Sequence, residues 1–379
     1  MKQRRLIVIP ILALAFLVSC SSSKSRFNLK SQATCTITFD ATEDGKFGDT
    51  SRYVCFSVPT GTQLYPYINL MKDFEPIPAF SNEVFACYSY KDNPNVVIDY
   101  RDVVNGDIIL KANYLQKDKK HAPYSNLNEF GWDFIKQVAV TKNDVSEVFA
   151  LGATKTVNLY EQPHKVRIIG YNHDILTKNT ETEEDIYAGL TFEFANLISN
   201  AYKTSLKTYW NKKSINKSDI TNKFINSTFY DLLNGEDGTG ASGIFSELPK
   251  DLKDATQLVT KKVGKGGETE EEQRELVSYN TKLFPLACAE IQRESQAGAP
   301  ADEGKIYQYY DKAHTKTLRT KAPVGGSVEY YWLRSPYCYT YEYYAEAWYV
   351  NEVSLLWNRA VCETTQIHEG IGIAPAFCI

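Results

Sequence analysis

After a polar stretch at 21–33, the chain alternates short β-branched and aromatic runs with Gly, Pro and Asn punctuation. Residues 36–40, 53–58, 96–100 and 107–114 read as strands on that pattern. The period then changes. Phe130, Phe134 and Val138 recur every fourth residue, with Trp132 and Ile135 beside them, which predicts an amphipathic helix over 129–140. A second apolar stripe, Ile225, Phe229, Leu232 and Leu233, predicts another helix, with Ser218 and Asp219 as start signals and Asn234-Gly235 as the stop. Strand signals return at 154–160, 166–171, 282–287 and 371–379. Two main helices among short strands and polar loops indicate an α+β chain. The loops at 262–275, 294–304 and 320–327 are rich in Gly, Ala, Pro or Glu and suit a fold that tolerates insertions on one face.

The chain opens with Met1-Lys2-Gln3-Arg4-Arg5, an apolar run over 6–18 and then Ser19-Cys20, the charged, apolar, small-residue order of an export signal. That run is shorter than the ~20 residues a membrane-spanning helix needs. Leu17-Val18-Ser19-Cys20 resembles the lipobox of bacterial lipoproteins, which implies cleavage before Cys20 and lipidation of its thiol. A plain signal peptide with an incidental cysteine is the alternative. The expected organisation is a signal over 1–20, a flexible tether over 21–33, a mostly β domain over 34–115, a charged linker over 116–123 and a second domain over 124–379.

Charge narrows the function classes. The chain carries a formal charge of -4, and loss of Lys2, Arg4 and Arg5 with the signal takes it to about -7, which argues against a nucleic-acid partner. Cys20 aside, the cysteines are Cys35, Cys55, Cys87, Cys288, Cys338, Cys362 and Cys378, an odd number without CxxC spacing. This predicts small buried thiols with one or two bridges at most, and neither a zinc ribbon nor a redox pair. No HExxH, GxSxG or GxxxxGK occurs. Asn172-His173-Asp174 puts an imidazole beside a carboxylate, the raw material of a base with its orienter. Neighbours on a strand point to opposite faces, so the two share a pocket only if a turn intervenes. The simpler reading is a turn whose Asn and Asp side chains bond to the backbone. No cofactor and no metal site is expected.

Two resemblances carry further. Ile37-Thr38-Phe39-Asp40, the segment from Val58 to Leu64 and the segment from Gly106 to Ala112 resemble the InlB B-repeat family of bacterial surface proteins, a β-grasp-like spacer. Where that family usually has Phe-x-Gly-Trp, this chain has Phe85-Ala86-Cys87-Tyr88. The ordered motifs at 166–174, Gly189-Leu190-Thr191-Phe192, Tyr331-Trp332-Leu333-Arg334-Ser335-Pro336 and 370–377 resemble an uncharacterised family of bacterial and phage surface domains. That family is itself similar to the formylglycine-generating-enzyme branch of C-type-lectin-like folds. The resemblance implies a C-type-lectin-like domain with two main helices and short antiparallel strands. The closely spaced copper-binding cysteines of that branch and the Glu-Pro-Asn or Gln-Pro-Asp triplets of calcium lectins are both missing.

The stretch from Tyr330 to Tyr349 is the most aromatic in a chain of 26 tyrosines. Tyr337, Tyr339, Tyr341 and Tyr343 alternate and would line one face of an extended segment, where tyrosine offers a large contact surface with a polar tip. The alternative is ordinary strand packing. The segment also resembles the variable region of retroelement-diversified surface proteins. That resemblance implies a fixed frame at 332–336, a closing strand at 370–377 and a binding surface of Tyr337, Tyr339, Tyr341, Tyr343, Tyr344, Tyr349, Trp357 and Asn358. The expected protein is a lipid-anchored, surface-exposed binding protein of a bacterial cell envelope, held in the membrane through Cys20 and engaging an extracellular protein or glycan. An enzyme with its site at His173 and Asp174, or a purely structural envelope component, is the alternative.

Overall fold

The computed structural model describes residues 33–48, 50–117, 123–178, 184–202, 204–210, 223–225, 227–236, 240–267, 269–293, 295–312, 316–338, 346–360 and 370–379, with the backbone alone at 312, 316–317 and 358–360. Its helices and strands together make an α+β chain. Contacts divide it into unit 1, Met1–Ala122 with Lys136–Asp144, and unit 2, Pro123–Ile135 with Val145–Ile379.

Unit 1 is built on β1 (Thr34–Asp40), β2 (Tyr53–Pro59), α1 (Tyr65–Lys72), β3 (Glu83–Tyr90) and β4 (Ile108–Gln116). The sheet order is β2-β1-β4-β3, with β1 parallel to β4 and the outer pairs antiparallel. Period-two alternation turns Cys35, Ile37 and Phe39 of β1 to the same side as Val58, Phe56 and Val54, their partners in β2, and all six are buried. Ile68 and Met71, three apart on α1, are the buried face of that helix. Phe39 meets Phe56 at 6.0 Å and Tyr88 at 5.0 Å, both edge to face.

The expected strand at 96–100 is irregular backbone instead. Asp102 accepts the Asp99 N–H at 2.9 Å and Asp99 accepts the Arg101 N–H at 3.1 Å, a side-chain-to-backbone pattern that competes with a ladder. The expected helix is α2 (Trp132–Thr141). It was expected wholly within the second domain, yet Lys136–Asp144 falls in unit 1. Lys136 pairs with Asp99 at 2.5 Å, and the Thr141 hydroxyl accepts the Tyr88 N–H at 3.0 Å.

Unit 2 contains β5 (Tyr124–Asn126), β6 (Phe149–Leu159), β7 (Gln162–Tyr171) and β8 (Leu190–Phe194), then β9 (Lys207–Thr208) and α3 (Thr228–Asn234). It continues through β10 (Val259–Gly264), β11 (Leu276–Thr281), α4 (Cys288–Ile291), α5 (Gln308–Lys312) and β12 (Tyr331–Pro336). It ends with β13 (Glu346–Val350), β14 (Leu356–Ala360), β15 (Ile371–Gly372) and β16 (Ala376–Cys378). One five-stranded sheet has the order β16-β8-β7-β6-β5, another β9-β15-β12-β13-β14, and β10 and β11 form a hairpin. Besides the antiparallel pairs, β5 runs parallel to β6 and β12 parallel to β15. The first sheet's core gathers Phe192 and Phe377, stacked at 5.5 Å, beneath Trp132 at 5.3 Å and 5.9 Å.

Several local expectations change in unit 2. The second helix starts at Ser227, whose hydroxyl accepts the Tyr230 N–H, and it stops at Gly235 with φ 79°, where a side chain on Cβ would be strained. Ser218 and Asp219 lie outside the described residues. Shorter helices over Gly243–Ser246, Lys250–Ala255 and Glu270–Arg274 join the two main ones, the last inside the expected 262–275 loop and opened by a Thr269 capping box. The strand expected at 282–287 is reduced to one bridge, Phe284 with Ala376. The Asn234 carboxamide takes both the N–H and the carbonyl of Leu283, and Pro285 has no N–H to give. The closing strand expected at 371–379 is two strands, β15 and β16, in different sheets, separated by Ile373-Ala374-Pro375. The described cysteines, Cys35, Cys55, Cys87, Cys288, Cys338 and Cys378, form no disulfide. No helix among the described residues is long and apolar enough to cross a membrane.

Candidate binding surface and the buried charge clusters

Strand β12 carries Tyr331-Trp332-Leu333-Arg334-Ser335-Pro336 and is buried at every position, so period-two alternation is lost. Trp332 donates its indole N–H to the Thr208 carbonyl at 2.8 Å and meets Trp210 edge to face at 5.7 Å. Arg334 is fully buried. Its guanidinium grips both Glu290 oxygens at 2.6 Å and 2.8 Å and donates to the carbonyls of Lys262, Pro285 and Glu303. This planar fork fits a bidentate carboxylate and three acceptors at once, which lysine cannot do.

Glu290 also receives Lys261 at 2.7 Å, and Lys261 in turn reaches Asp174 at 2.5 Å. Asp174 accepts from Thr191 at 2.6 Å and from the Tyr307 hydroxyl at 2.9 Å and 3.0 Å. Burial works against its ionisation, but Lys261 and His173 overcome that and hold its pKa well below the ordinary carboxylate value. Glu303 takes the Gly264 N–H at 2.8 Å and the Ser335 hydroxyl. Burial dominates there and lifts its pKa to about 7, against the pull of Arg334.

A second cluster centres on Glu193 of β8. Arg167, its cross-strand partner on β7, donates at 2.6 Å, Lys321 at 2.8 Å, and the Tyr310 hydroxyl at 2.8 Å and 2.9 Å. Arg167 also lies over the Tyr309 ring at 4.5 Å. Burial resists the charge on Glu193, yet Arg167 and Lys321 draw its pKa below the usual value. Burial pulls Lys321 down to about 8.

His173 and Asp174 do come together, because Asn172 turns the chain with φ 46° and breaks the strand alternation. The Asp174 carboxylate bonds to buried side chains rather than to the turn backbone, contrary to expectation. His173 stacks on Tyr307 at 3.9 Å, with Nε2 3.1 Å from the Lys305 carbonyl. Sequence reasoning missed Lys261, Glu290, Glu303, Glu193 and Lys321. Glu193 had a signal, since it is the one charged residue in the strand-like run Leu190-Thr191-Phe192-Glu193-Phe194.

Of the expected binding residues, Tyr339, Tyr341, Tyr343 and Tyr344 lie outside the described residues, as does Cys20. Tyr337 is half-buried with its ring 5.4 Å from Trp348. Tyr349 is buried, against Tyr330 at 5.3 Å and Trp332 at 6.3 Å, so it braces the sheet instead of presenting a free face. Trp357, its partner across β13 and β14, is 53% exposed. Asn358 pairs with Trp348 in the same ladder, its side chain outside the description. Pro336, Glu346 and Ala360 mark one end of this sheet, because Pro336 pairs with Ala347 and Glu346 with Ala360.

At the opposite end, where Tyr331 meets Val350 and Gly372, a groove of about 240 Å³ runs between Lys207, Glu329, Tyr330 and Glu352. A cavity of about 350 Å³ lies beside α4, with Gln292, Arg293, Gln296 and Lys305 on its walls and Cys288 among its lining residues. Burial pushes the Cys288 thiol well above its ordinary pKa, which keeps it unreactive. Among the described residues no group of three or more His, Cys, Asp or Glu is placed to hold a metal ion.

A family described as "Domain of unknown function (DUF6273)" matches residues 195–379, a little under half of the chain. The match takes in the Trp332–Pro336 and 370–377 motifs, the groove and β12 to β16, and leaves out β5 to β8. No curated protein and no solved structure matches the chain.

Proposed function

We propose that the protein is a lipid-anchored binding protein of a bacterial cell envelope, surface-exposed, with a β-grasp-like spacer and a C-type-lectin-like head that engages an extracellular protein or glycan. One observation carries this reading. The sheet that bears the aromatic segment joins a strand buried at all six positions, β12, to an edge strand that leaves Trp357 half exposed, with Tyr337 where the chain leaves the frame. A rigid frame under an open aromatic edge is the arrangement in which surface residues can change without cost to the fold. In unit 1, the parallel β1–β4 pair inside a sheet whose second and third strands are bridged by α1 supports the β-grasp-like spacer. In unit 2, the four ordered motifs that suggest a lectin-like head lie in β7, β8, β12 and the β15–β16 segment, which pack into two sheets.

The test is binding of the full-length chain to glycan and surface-protein arrays beside a folded variant with Tyr337, Tyr339, Tyr341, Tyr343 and Tyr344 changed to Ala. Specific binding lost in the variant supports the reading, and equal binding by both overturns the assigned surface. For the anchor, Cys20→Ser should abolish incorporation of a clickable fatty acid and release the chain from membranes. For diversification, the locus in sibling strains should vary at 337–358 and not evenly along the gene.

A further inference from the structure

The geometry points to a second recognition site, apart from the surface proposed at Tyr337: the groove at the far end of the β12–β14 sheet receives an arginine or lysine side chain of a protein ligand. The groove is about 240 Å³, below the ~300–1,000 Å³ of small-molecule pockets, and so it is scaled to one inserted side chain. Its chemistry is acidic and aromatic. Glu329 already accepts from Ser205 at 2.6 Å and faces Lys207 at 3.4 Å. Glu352, exposed on the same wall, makes no ion pair among the described residues. Among the described residues that line the groove, two carboxylates stand against one ammonium, an excess of negative charge. Tyr330 supplies a ring face held in place by Tyr349, and a cation within ~6 Å of such a face gains from its quadrupole.

The rim selects a polypeptide over a free cation. Val328 lines the groove and is 40% exposed, and the β13–β14 turn beside it exposes Val353 at 63% and Leu355 at 37%, next to Trp357. A small polar cation would gain nothing from these apolar surfaces, whereas the residues flanking a basic side chain would cover them. The turn is held rigid in advance: Asn351 accepts the N–H groups of Val353 at 3.1 Å and Leu355 at 2.8 Å, and Ser354 sits at φ 68° between them. Little ordering entropy is then lost on contact.

The experiment titrates the full-length chain by calorimetry with a capped tripeptide, Leu-Arg-Leu, and with its citrulline analogue, which keeps the shape and removes the charge. The arginine peptide should bind about tenfold more tightly than the citrulline peptide, and more weakly as salt rises. Glu352→Gln should weaken arginine binding about threefold, the scale of an exposed charge pair. Lys207→Met, which frees Glu329 from its ammonium, should strengthen it by a similar factor. Changing Tyr339, Tyr341, Tyr343 and Tyr344 to Ala should leave it unchanged, which separates this site from the surface proposed above. Equal affinity for both peptides, no affinity for either, or indifference to Glu352→Gln overturns the proposal.

Discussion

The two buried charge clusters of unit 2 are built from the same residue types but err in opposite directions. Around Glu193, one carboxylate faces two cations, Arg167 and Lys321. Around Glu290, three carboxylates, those of Asp174, Glu290 and Glu303, surround Lys261 and Arg334. Each cluster relieves its imbalance through its surplus member. Lys321 is drawn down to about 8 and Glu303 up to about 7, while the paired groups Glu193, Asp174 and Glu290 stay below their usual values. The difference teaches that these interiors tolerate charge only near neutrality, and that the group with the fewest opposite partners yields its proton equilibrium first.

The comparison can be broken most severely at Arg334. Arg334→Met strips Glu290 of a bidentate partner and three carbonyls of a donor, and should cost about 3–5 kcal/mol in urea unfolding. A neutral result would mean that β12 does not depend on its buried ion pair. Arg167→Met should cost less, about 2 kcal/mol, because Glu193 keeps Lys321 and Tyr310. If the two losses are equal, the count of remaining partners is not what decides them.

Proton linkage sharpens the same contrast along a pH axis. Glu303 titrates near 7 in the fold and near ~4.3 when unfolded, so between those values the folded state holds the extra proton and its contribution to stability falls as pH rises. Glu303→Gln should remove that slope, with the difference in Tm moving in favour of the variant from pH 5 to pH 7.5. Lys321 has the opposite sign. Its folded pKa of about 8 lies below the unfolded value, so stability rises with pH from 8 to 10.5, and Lys321→Met should flatten that rise. The smallest effect belongs to the open edge. Trp357→Ser should change stability by less than about 0.5 kcal/mol, and a loss above 1 kcal/mol by thermal unfolding would show that the edge is structural.

Apolar periodicity made much of this fold legible. β1, β2, β4, β6, β7 and α2 follow the runs that predict them, because those segments satisfy their backbone with their own ladder or helix. The departures occur where side chains take over the backbone's partners. Asp99 and Asp102 dissolve a strand, Asn234 captures Leu283, and Pro375 splits the last strand between two sheets. α1 went unread because Tyr65-Pro66-Tyr67 looks like punctuation, although proline at the first turn of a helix forfeits no hydrogen bond. Glu193 apart, the charge clusters were illegible for a different reason. Lys261 lies in a polar hairpin and Glu303 in a Gly- and Ala-rich loop, where a charged residue is ordinarily solvated, and only three-dimensional closure buries them.

The pairing of β8 with β16 sets Phe192 opposite Phe377. Such a contact joins residues from distant parts of the chain, and folding rates fall as the sequence separation of contacts grows. The β6–β7 ribbon can zip locally through its two-residue turn at Tyr160-Glu161, but the stacked phenylalanines must wait until the intervening chain has been gathered in. Until then β8 has one open edge rich in Phe, Thr and Leu, a template for pairing with another copy of itself. The chain's period of greatest risk of self-association is therefore the interval between synthesis of Phe194 and arrival of Phe377, and a chaperone that shields extended apolar segments would act on that interval.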